Sequence, residues 1–185
     1  MKTKGVMYCV LFTALIAVGA FIKIPIPAVP FTLQYLFTML AGLLLGSRLG
    51  TVSVLSYMLL GLAGLPIFSE GGGLWYVFKP SFGYIIGFAV GTFVTGWIAE
   101  HMEKKTIARY LLANLAGLFC VYAVGMIYYY IICNFVINTP IAAGPLFLYC
   151  FVLAVPGDIA LSILGAVVAK RVRPVLAYEA VRVRS

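Results

Sequence analysis

Long apolar runs, separated by short polar or glycine-rich connections, dominate the pattern of this chain. A helix that crosses a bilayer needs about 20 mostly apolar residues. The runs predict membrane-spanning helices near residues 6–22, 33–47, 51–65, 82–98, 108–134 and 145–169. The second and third runs are short, and Pro156-Gly157 interrupts the sixth. We therefore predict an all-α, polytopic membrane protein with six transmembrane helices in one integral membrane domain, residues 1–185.

Composition supports this class and narrows the chemistry. Hydrophobic residues make up 64% of the 185 residues, charged residues 10%, and the mean hydropathy is +1.11, which leaves no room for a soluble domain. The chain lacks a phosphate-binding GxxxxGK[ST] motif and a Ser/His/Asp or Cys/His set for covalent catalysis. Four isolated cysteines and the single His101 form no metal-ligand pattern. The sequence predicts binding and transport, not an enzyme, and implies no cofactor.

The basic residues predict the orientation of the bundle in the cell membrane. An even number of spans places both termini on one side, together with all but two of the 13 Lys and Arg residues. Only Lys23 and Lys79 fall on the opposite side. The positive-inside rule then places both termini in the cytoplasm. The net charge of +8 reflects topology and contact with lipid headgroups and does not indicate nucleic-acid binding.

Asp158 is the one carboxylate deep inside an apolar run, directly after Pro156-Gly157. An ionised Asp at the bilayer centre costs roughly 2.5–3.5 kcal/mol, so such residues usually face a cavity, a ligand or a partner charge. Pro suits the first turn of a helix and an acid favours its positive end. We expect an inner helix to begin near Pro156, with Asp158 at a functional site.

Small residues recur at helical spacing and predict close contacts between helices. Two ladders use glycine, and the first run carries a weaker stripe. The members are Gly42, Gly46 and Gly50; Gly83, Gly87, Gly91 and Thr95; and Cys9, Thr13 and Ala17. Internal packing is one use of such a face, and docking of another membrane subunit is the alternative.

The predicted outer connections carry polar and aromatic residues. One connection contains three consecutive glycines that can form a hinge, Gly71, Gly72 and Gly73. The aromatic residues that follow them form either a lid over a pocket or an aromatic belt at the headgroups; they are Trp75, Tyr76 and Phe78. Lys79 is placed to meet a ligand carboxylate or Asp158, or to snorkel to the interface. Thr32 and Gln34 stand at the mouth of the second helix, where each can bond a ligand or cap the helix.

Several motifs, in order, resemble the BioY family, the biotin-binding S components of energy-coupling factor (ECF) transporters. The resemblance covers residues 5–172 and rests on Val29-Pro30-Phe31-Thr32-Leu33-Gln34, Gly42-Leu43-Leu44-Leu45-Gly46, Gly64-Leu65-Pro66-Ile67-Phe68, Lys79-Pro80-Ser81-Phe82-Gly83-Tyr84-Ile85-Ile86-Gly87-Phe88 and Pro156-Gly157-Asp158. It implies an S-component-like six-helix bundle that captures biotin from outside. The implied partners are a membrane coupling subunit of the EcfT type and two cytoplasmic ATPases. It also implies a coupling-subunit face on the first helix, at Thr13 and Ala17.

With biotin as ligand, Asp158 suits the ureido N–H pair, and Gln34 and backbone amides near Gly157 suit its carbonyl. Trp75, Tyr84 and Phe31 are expected to cover the apolar body of the ligand, and Gly71 to Gly73 to move as a lid. Many family members carry a Lys three residues after the Asp, where this chain has Leu161, and Gly-Pro-Thr-Gly-Gly-Tyr where it has residues 79–84. Our hypothesis is that Lys79 supplies the missing positive charge.

Two other interpretations of the sequence remain open. The chain is a stand-alone facilitator or a structural subunit of a membrane complex, in which an Asp158–Lys79 ion pair fixes helix register. Alternatively, it is an S component for another vitamin.

Overall fold

A computed structural model describes residues 3–24, 31–103 and 105–182, with side chains up to residue 174. Its helices are α1 (Thr3–Phe21), α2 (Gln34–Leu62), α3 (Phe82–Glu100), α4 (Ile107–Ile131), α5 (Ala143–Phe147) and α6 (Val155–Arg182). Two short strands, β1 (Lys23–Ile24) and β2 (Phe31–Thr32), pair antiparallel. A 3-10 helix covers Leu74–Phe78, and π-helical turns cover Ile132–Val136 and Leu148–Val152. Val29 and Pro30 of the first motif lie outside the described residues.

The helical membrane class is confirmed, while the predicted number of six spans stays a prediction. In the described chain, five helical segments are long and apolar enough to cross a membrane: Thr3–Phe21, Gln34–Leu62, Phe82–Glu100, Ile107–Val136 and Ala143–Pro174. The runs predicted as separate spans at 33–47 and 51–65 are joined in α2. Two runs became one segment because helical conformation resumes directly after a single non-helical residue, Gly46.

The chain reverses direction at Gly46. This residue has φ 85° and ψ 179°, a backbone conformation that glycine adopts without steric cost. A Cβ atom added at Gly50 would lie 2.8 Å from the Ala41 carbonyl oxygen, so the helix after the reversal lies against the helix before it. We call residues 34–45 the first arm of α2 and residues 47–62 the second arm.

Helix α1 contacts both arms of α2. The positions of these contacts along α1 show the direction in which each arm runs. A Cβ at Gly19 would lie 3.1 Å from Gln34 Cα, at the start of the first arm. Nearer the start of α1, Thr13 Oγ1 donates a hydrogen bond to the Ser53 carbonyl oxygen (3.0 Å) in the second arm. The two arms therefore run in opposite directions along α1.

A carboxylate from another helix caps the second arm. Glu100, the last residue of α3, accepts hydrogen bonds from Ser47 N (3.0 Å) and Ser47 Oγ (2.7 Å). The first amides of a helix lack intrahelical partners and attract negative charge. Glu100 thus stabilises the reversal at Gly46 and ties it to α3. We call this end of the bundle the Gly46 end.

The two glycine ladders bring α3 close to both of its neighbours. A Cβ at Gly42 would lie 2.7 Å from the Thr92 carbonyl oxygen in α3, and one at Gly87 would lie 2.8 Å from the Val121 carbonyl oxygen in α4. Thr95 Oγ1 donates to the Ala113 carbonyl oxygen (3.2 Å). These ladders serve internal packing, which was one of the two predicted uses.

The stripe on the first helix also faces inward. Cys9 and Thr13 are buried, and Cys9 Sγ contacts the Leu49 carbonyl oxygen at 3.4 Å. Ala17 is only half-buried. Contrary to our expectation, Thr13 does not lie on a free docking surface, because the second arm of α2 already covers it.

Helix α6 begins at the far end of the bundle and returns to the Gly46 end. The Asp158 amide donates to the Ala154 carbonyl oxygen (3.1 Å) in its first turn, and Pro156 lies within that turn, where a missing N–H costs little. At the other end, Arg173 Nη1 lies 3.4 Å from the Ala99 carbonyl oxygen and 3.3 Å from the Tyr110 hydroxyl. Asp158 is therefore placed at the end opposite Gly46.

The close approach of α2 and α3 predicts a steric limit at Gly42. In Gly42→Val, the new side chain meets the backbone of α3, so we expect a loss of about 1–3 kcal/mol in the free energy of unfolding. For a chain of this size, that lowers the melting temperature by about 2–4 °C per kcal/mol. Thermal unfolding of purified protein in detergent measures this shift.

Gly144→Val is the matched control, because a Cβ at Gly144 meets no atom within 4 Å. Equal melting temperatures for the two variants would contradict tight packing at Gly42.

Candidate ligand-binding site

A cavity opens at the end of the bundle opposite Gly46. It measures about 690 Å³ when the solvent space in its open mouth is counted. Its walls come from β2, the first turns of α2, α3 and α6, the middle of α4 and the π-helical turn before α6. The lining residues are Phe31, Thr32, Gln34, Tyr35, Ser69, Tyr76, Ser81, Tyr84, Ile85, Phe88, Val121, Tyr122, Tyr149, Cys150, Ala154 and Asp158.

Asp158 lines this cavity and is 8% exposed. Its Oδ2 accepts a hydrogen bond from the Tyr122 hydroxyl. Within the described part of the chain, no cation pairs with Asp158 and no other side chain donates to it. A carboxylate has about four acceptor sites, so most of its capacity remains for a ligand. The position at the start of α6 adds the favourable end of a helix dipole.

Aromatic rings surround the carboxylate. Tyr122 packs edge-to-face against Tyr84 (6.2 Å between ring centroids, 86°) and against Phe151 (5.2 Å, 72°). Phe31 lies over Gly157, where an added Cβ would be 2.7 Å from the Phe31 ring. Glycine at this position is what allows the strand β2 to bring an aromatic ring beside Asp158.

Two buried polar atoms in the wall make no hydrogen bond of standard geometry among the described residues, although Gln34 lies near Tyr57 and Tyr84 lies near Cys150. They are Gln34 Nε2 and the Tyr84 hydroxyl, and both residues line the cavity. An unpaired buried donor costs about 1–3 kcal/mol. Their positions fit a polar ligand group that accepts hydrogen bonds.

A second set of hydrogen bonds forms the floor of the cavity. The Tyr35 hydroxyl lies 3.1 Å from both the Asn114 carbonyl oxygen and Ser162 Oγ. Asn114 Nδ2 donates to the Ser162 carbonyl oxygen at 2.9 Å. Since these residues belong to α2, α4 and α6, the network holds three helices together beneath the site.

The connection between α2 and α3 borders the mouth, where Ser69 and Tyr76 line the cavity. The buried Tyr76 ring lies 4.5 Å from Phe68, and its hydroxyl lies 3.3 Å from Ser69 Oγ. Gly71 and Gly73 have φ 114° and 99°, values that L side chains rarely adopt. Lys23 Nζ donates to the Ser69 carbonyl oxygen (2.8 Å) and joins β1 to this connection.

Two predicted site residues lie outside the cavity lining. Lys79 Nζ is 3.2 Å from Glu70 Oε2 and 5.1 Å from the centroid of Tyr76, so the expected ion pair with Asp158 is absent. Trp75 is 82% exposed and packs beside Phe78. In this structure Trp75 does not cover the cavity, and its exposure fits the alternative of an aromatic belt.

The structure brings together Asp158, Gln34, Tyr84 and Phe31, which come from three helices and a strand. Sequence reasoning missed Tyr122 and Tyr35. Tyr122 lies two four-residue steps after Asn114 in α4, so helical spacing places both polar side chains on one face of an apolar helix. That spacing was a signal for Tyr122. No comparable signal pointed to Tyr35.

Comparisons with known proteins agree with the geometry. The BioY family model matches residues 1–178. The probable biotin transporter BioY of Lysinibacillus sphaericus is 45% identical over 170 residues, covering 92% of this chain and 87% of that protein. The biotin transporter BioY of Thermotoga maritima is 47% identical over 117 residues, covering 63% of this chain and 68% of that protein.

Among solved structures, the S component for biotin from an ECF-type ABC transporter superposes with a TM-score of 0.79 and 32% identity, over 94% of this chain and 92% of that chain. The resemblance seen in the sequence motifs is confirmed: this chain belongs to the BioY family.

Proposed function

We propose that this protein is a biotin-specific S component, which captures biotin at the outer face of the cell membrane for ATP-driven uptake. The observation that carries the proposal is Asp158, a buried carboxylate with unused acceptor capacity in a mostly apolar cavity. The relatives named as biotin transporters and the biotin S component of similar fold support the same ligand.

The chemistry of biotin matches the polar groups of the wall. Its ureido ring offers two N–H donors and one carbonyl acceptor. Asp158 accepts from the N–H groups, while Gln34 Nε2 and the Tyr84 hydroxyl, both unpaired in the described structure, donate to the carbonyl. Phe31 and the Tyr84 ring contact the apolar thiophane body and exclude water, which strengthens the polar contacts.

The valerate carboxylate of the ligand points to the mouth and meets Lys79. In the structure, Lys79 pairs with Glu70, and both side chains are nearly half exposed. An exposed ion pair contributes only about 0–1 kcal/mol, so the ligand carboxylate can replace Glu70. Trp75 and the hinge at Gly71, Gly72 and Gly73 act in this proposal as a lid that closes after binding.

The membrane topology in this proposal has six spans and cytoplasmic termini. The reversal at Gly46 supports it, because each arm of α2 then crosses part of the bilayer in its own direction. Arg48, Arg109 and Arg173 lie toward the Gly46 end, while Lys23 and Lys79 lie beside the cavity. By the positive-inside rule, the cavity faces outward.

The energy source lies on other chains in this proposal. A membrane coupling subunit of the EcfT type and two cytoplasmic ATPases drive uptake. Two observations support this arrangement: the sequence has no nucleotide-phosphate motif, and the similar solved structure comes from an ECF-type ABC transporter.

The proposal is tested by the small molecule that the purified protein retains. We expect mass spectrometry to find biotin, and calorimetry to show tight binding of added biotin. In proteoliposomes, uptake of labelled biotin should need ATP and the partner subunits. A different retained vitamin would identify another S component, and passive biotin flux without partners would favour the facilitator.

Asp158→Asn keeps the side-chain shape but replaces an acceptor oxygen with a donor N–H2. The N–H2 group of the new side chain then faces an N–H group of biotin. We therefore expect the affinity for biotin to fall at least about tenfold, which corresponds to the loss of a hydrogen bond to a charged group. Calorimetry measures the change.

Glu103→Gln, in the exposed loop between α3 and α4, is the control for loss of one negative charge. Wild-type affinity in folded Asp158→Asn would show that Asp158 is structural.

Lys79→Met removes the proposed partner of the ligand carboxylate. We expect at least about tenfold weaker biotin binding, equal to about 1.4 kcal/mol, and unchanged binding of biotin methyl ester, which lacks the negative charge. Glu70→Gln is the control, because it frees Lys79 and should not weaken biotin binding. Unchanged biotin affinity in Lys79→Met would remove Lys79 from the site.

A further inference from the structure

We propose that Tyr122 is the positioning residue of the site: its hydroxyl holds one oxygen of Asp158 so that the other faces the ligand, and this neutral donor makes the site prefer a neutral urea over a cation. The inference rests on the proposed function, because it concerns the same carboxylate.

The Tyr122 side chain is held in place from several directions. It is buried, projects from the middle of α4, and packs edge-to-face against Tyr84 on one side and Phe151 on the other. Its hydroxyl donates across to α6, to Asp158 Oδ2. A ring fixed between two neighbours presents its hydroxyl in a single direction, so it sets the orientation of the carboxylate before the ligand arrives.

The Tyr122 hydroxyl is important because no cation pairs with Asp158 in the described structure. Two lysines lie beside the mouth in the described structure, and each has another partner: Lys79 pairs with Glu70, and Lys23 donates to the Ser69 carbonyl oxygen. The position three residues after Asp158 is the apolar Leu161. The carboxylate therefore relies on a neutral phenol, which satisfies one oxygen without neutralising the charge. The second oxygen is left to accept from N–H groups in the cavity.

The unpaired groups of the cavity wall disfavour a cation at the carbonyl position of the urea. Gln34 Nε2 is a donor without a partner, and the unpaired Tyr84 hydroxyl can also donate, so both suit the carbonyl oxygen of a urea. In protonated 2-iminobiotin an N–H2 group replaces that oxygen, so the Gln34 donor faces another donor. Without the Tyr122 hydroxyl, Asp158 has one more unpaired oxygen, and its attraction to a cationic ligand increases.

The test compares two ligands on the same protein. Wild type and Tyr122→Phe are purified in detergent, and calorimetry measures the dissociation constants of biotin and of 2-iminobiotin at a pH where the latter is protonated. In Tyr122→Phe we expect biotin affinity to fall about tenfold or more, the factor for a lost hydrogen bond to a charged group. The affinity for 2-iminobiotin should fall less or rise. The ratio of the affinity for biotin to the affinity for 2-iminobiotin should therefore be lower in the variant than in wild type.

Tyr129→Phe is the matched control, a buried tyrosine on the same helix that does not line the cavity, and it should leave the ratio unchanged. The ratio is measured on the folded fraction, so a lower yield of Tyr122→Phe does not affect it. An equal loss for both ligands would show a packing role only and overturn the inference, as would unchanged biotin affinity. If wild type binds no biotin, the proposed function itself fails.

Discussion

The site depends on how a carboxylate is accommodated inside an apolar bundle. Lipid and apolar side chains offer Asp158 no hydrogen bond, and an unpartnered charge there is costly. The structure supplies one neutral donor, Tyr122, and places the acid at the start of α6, where the helix dipole favours negative charge. Asp158 lines the cavity with acceptor capacity to spare, and this is the basis of its proposed role as a binding group.

Close contacts between helices create the space around that carboxylate. Glycines let α3 approach α2 and α4 closely, and the reversal at Gly46, capped by Glu100, returns the chain along α1. At the other end the first turns of α2, α3 and α6 carry side chains that line the cavity, among them Gln34, Tyr84 and Asp158. The bundle is thus tightly closed at the Gly46 end and open at the cavity end, with the Tyr35–Asn114–Ser162 network between them.

The interactions at the mouth are exposed to solvent, whereas those in the interior are buried. Its ion pair and its lysine–carbonyl bond are exposed, so each contributes little and exchanges easily with water or a charged group. The buried bonds around Asp158 and Ser162 are shielded from water and hold their geometry. A site with a rigid inner half and a weakly held outer half suits a protein that must first admit a ligand and later release it.

The sequence alone determined the membrane class, the helical fold and the glycine contacts, because each depends on local composition or on spacing along one helix. Gln34, Tyr84 and Phe31, which were predicted as biotin contacts, line the same cavity as Asp158. Only the tertiary structure decided that Tyr122 is the partner of Asp158, that Lys79 pairs with Glu70, and that Thr13 is covered by α2. These are choices between partners on different helices, and the periodicity of a single helix carries no information about which neighbour its side chains meet.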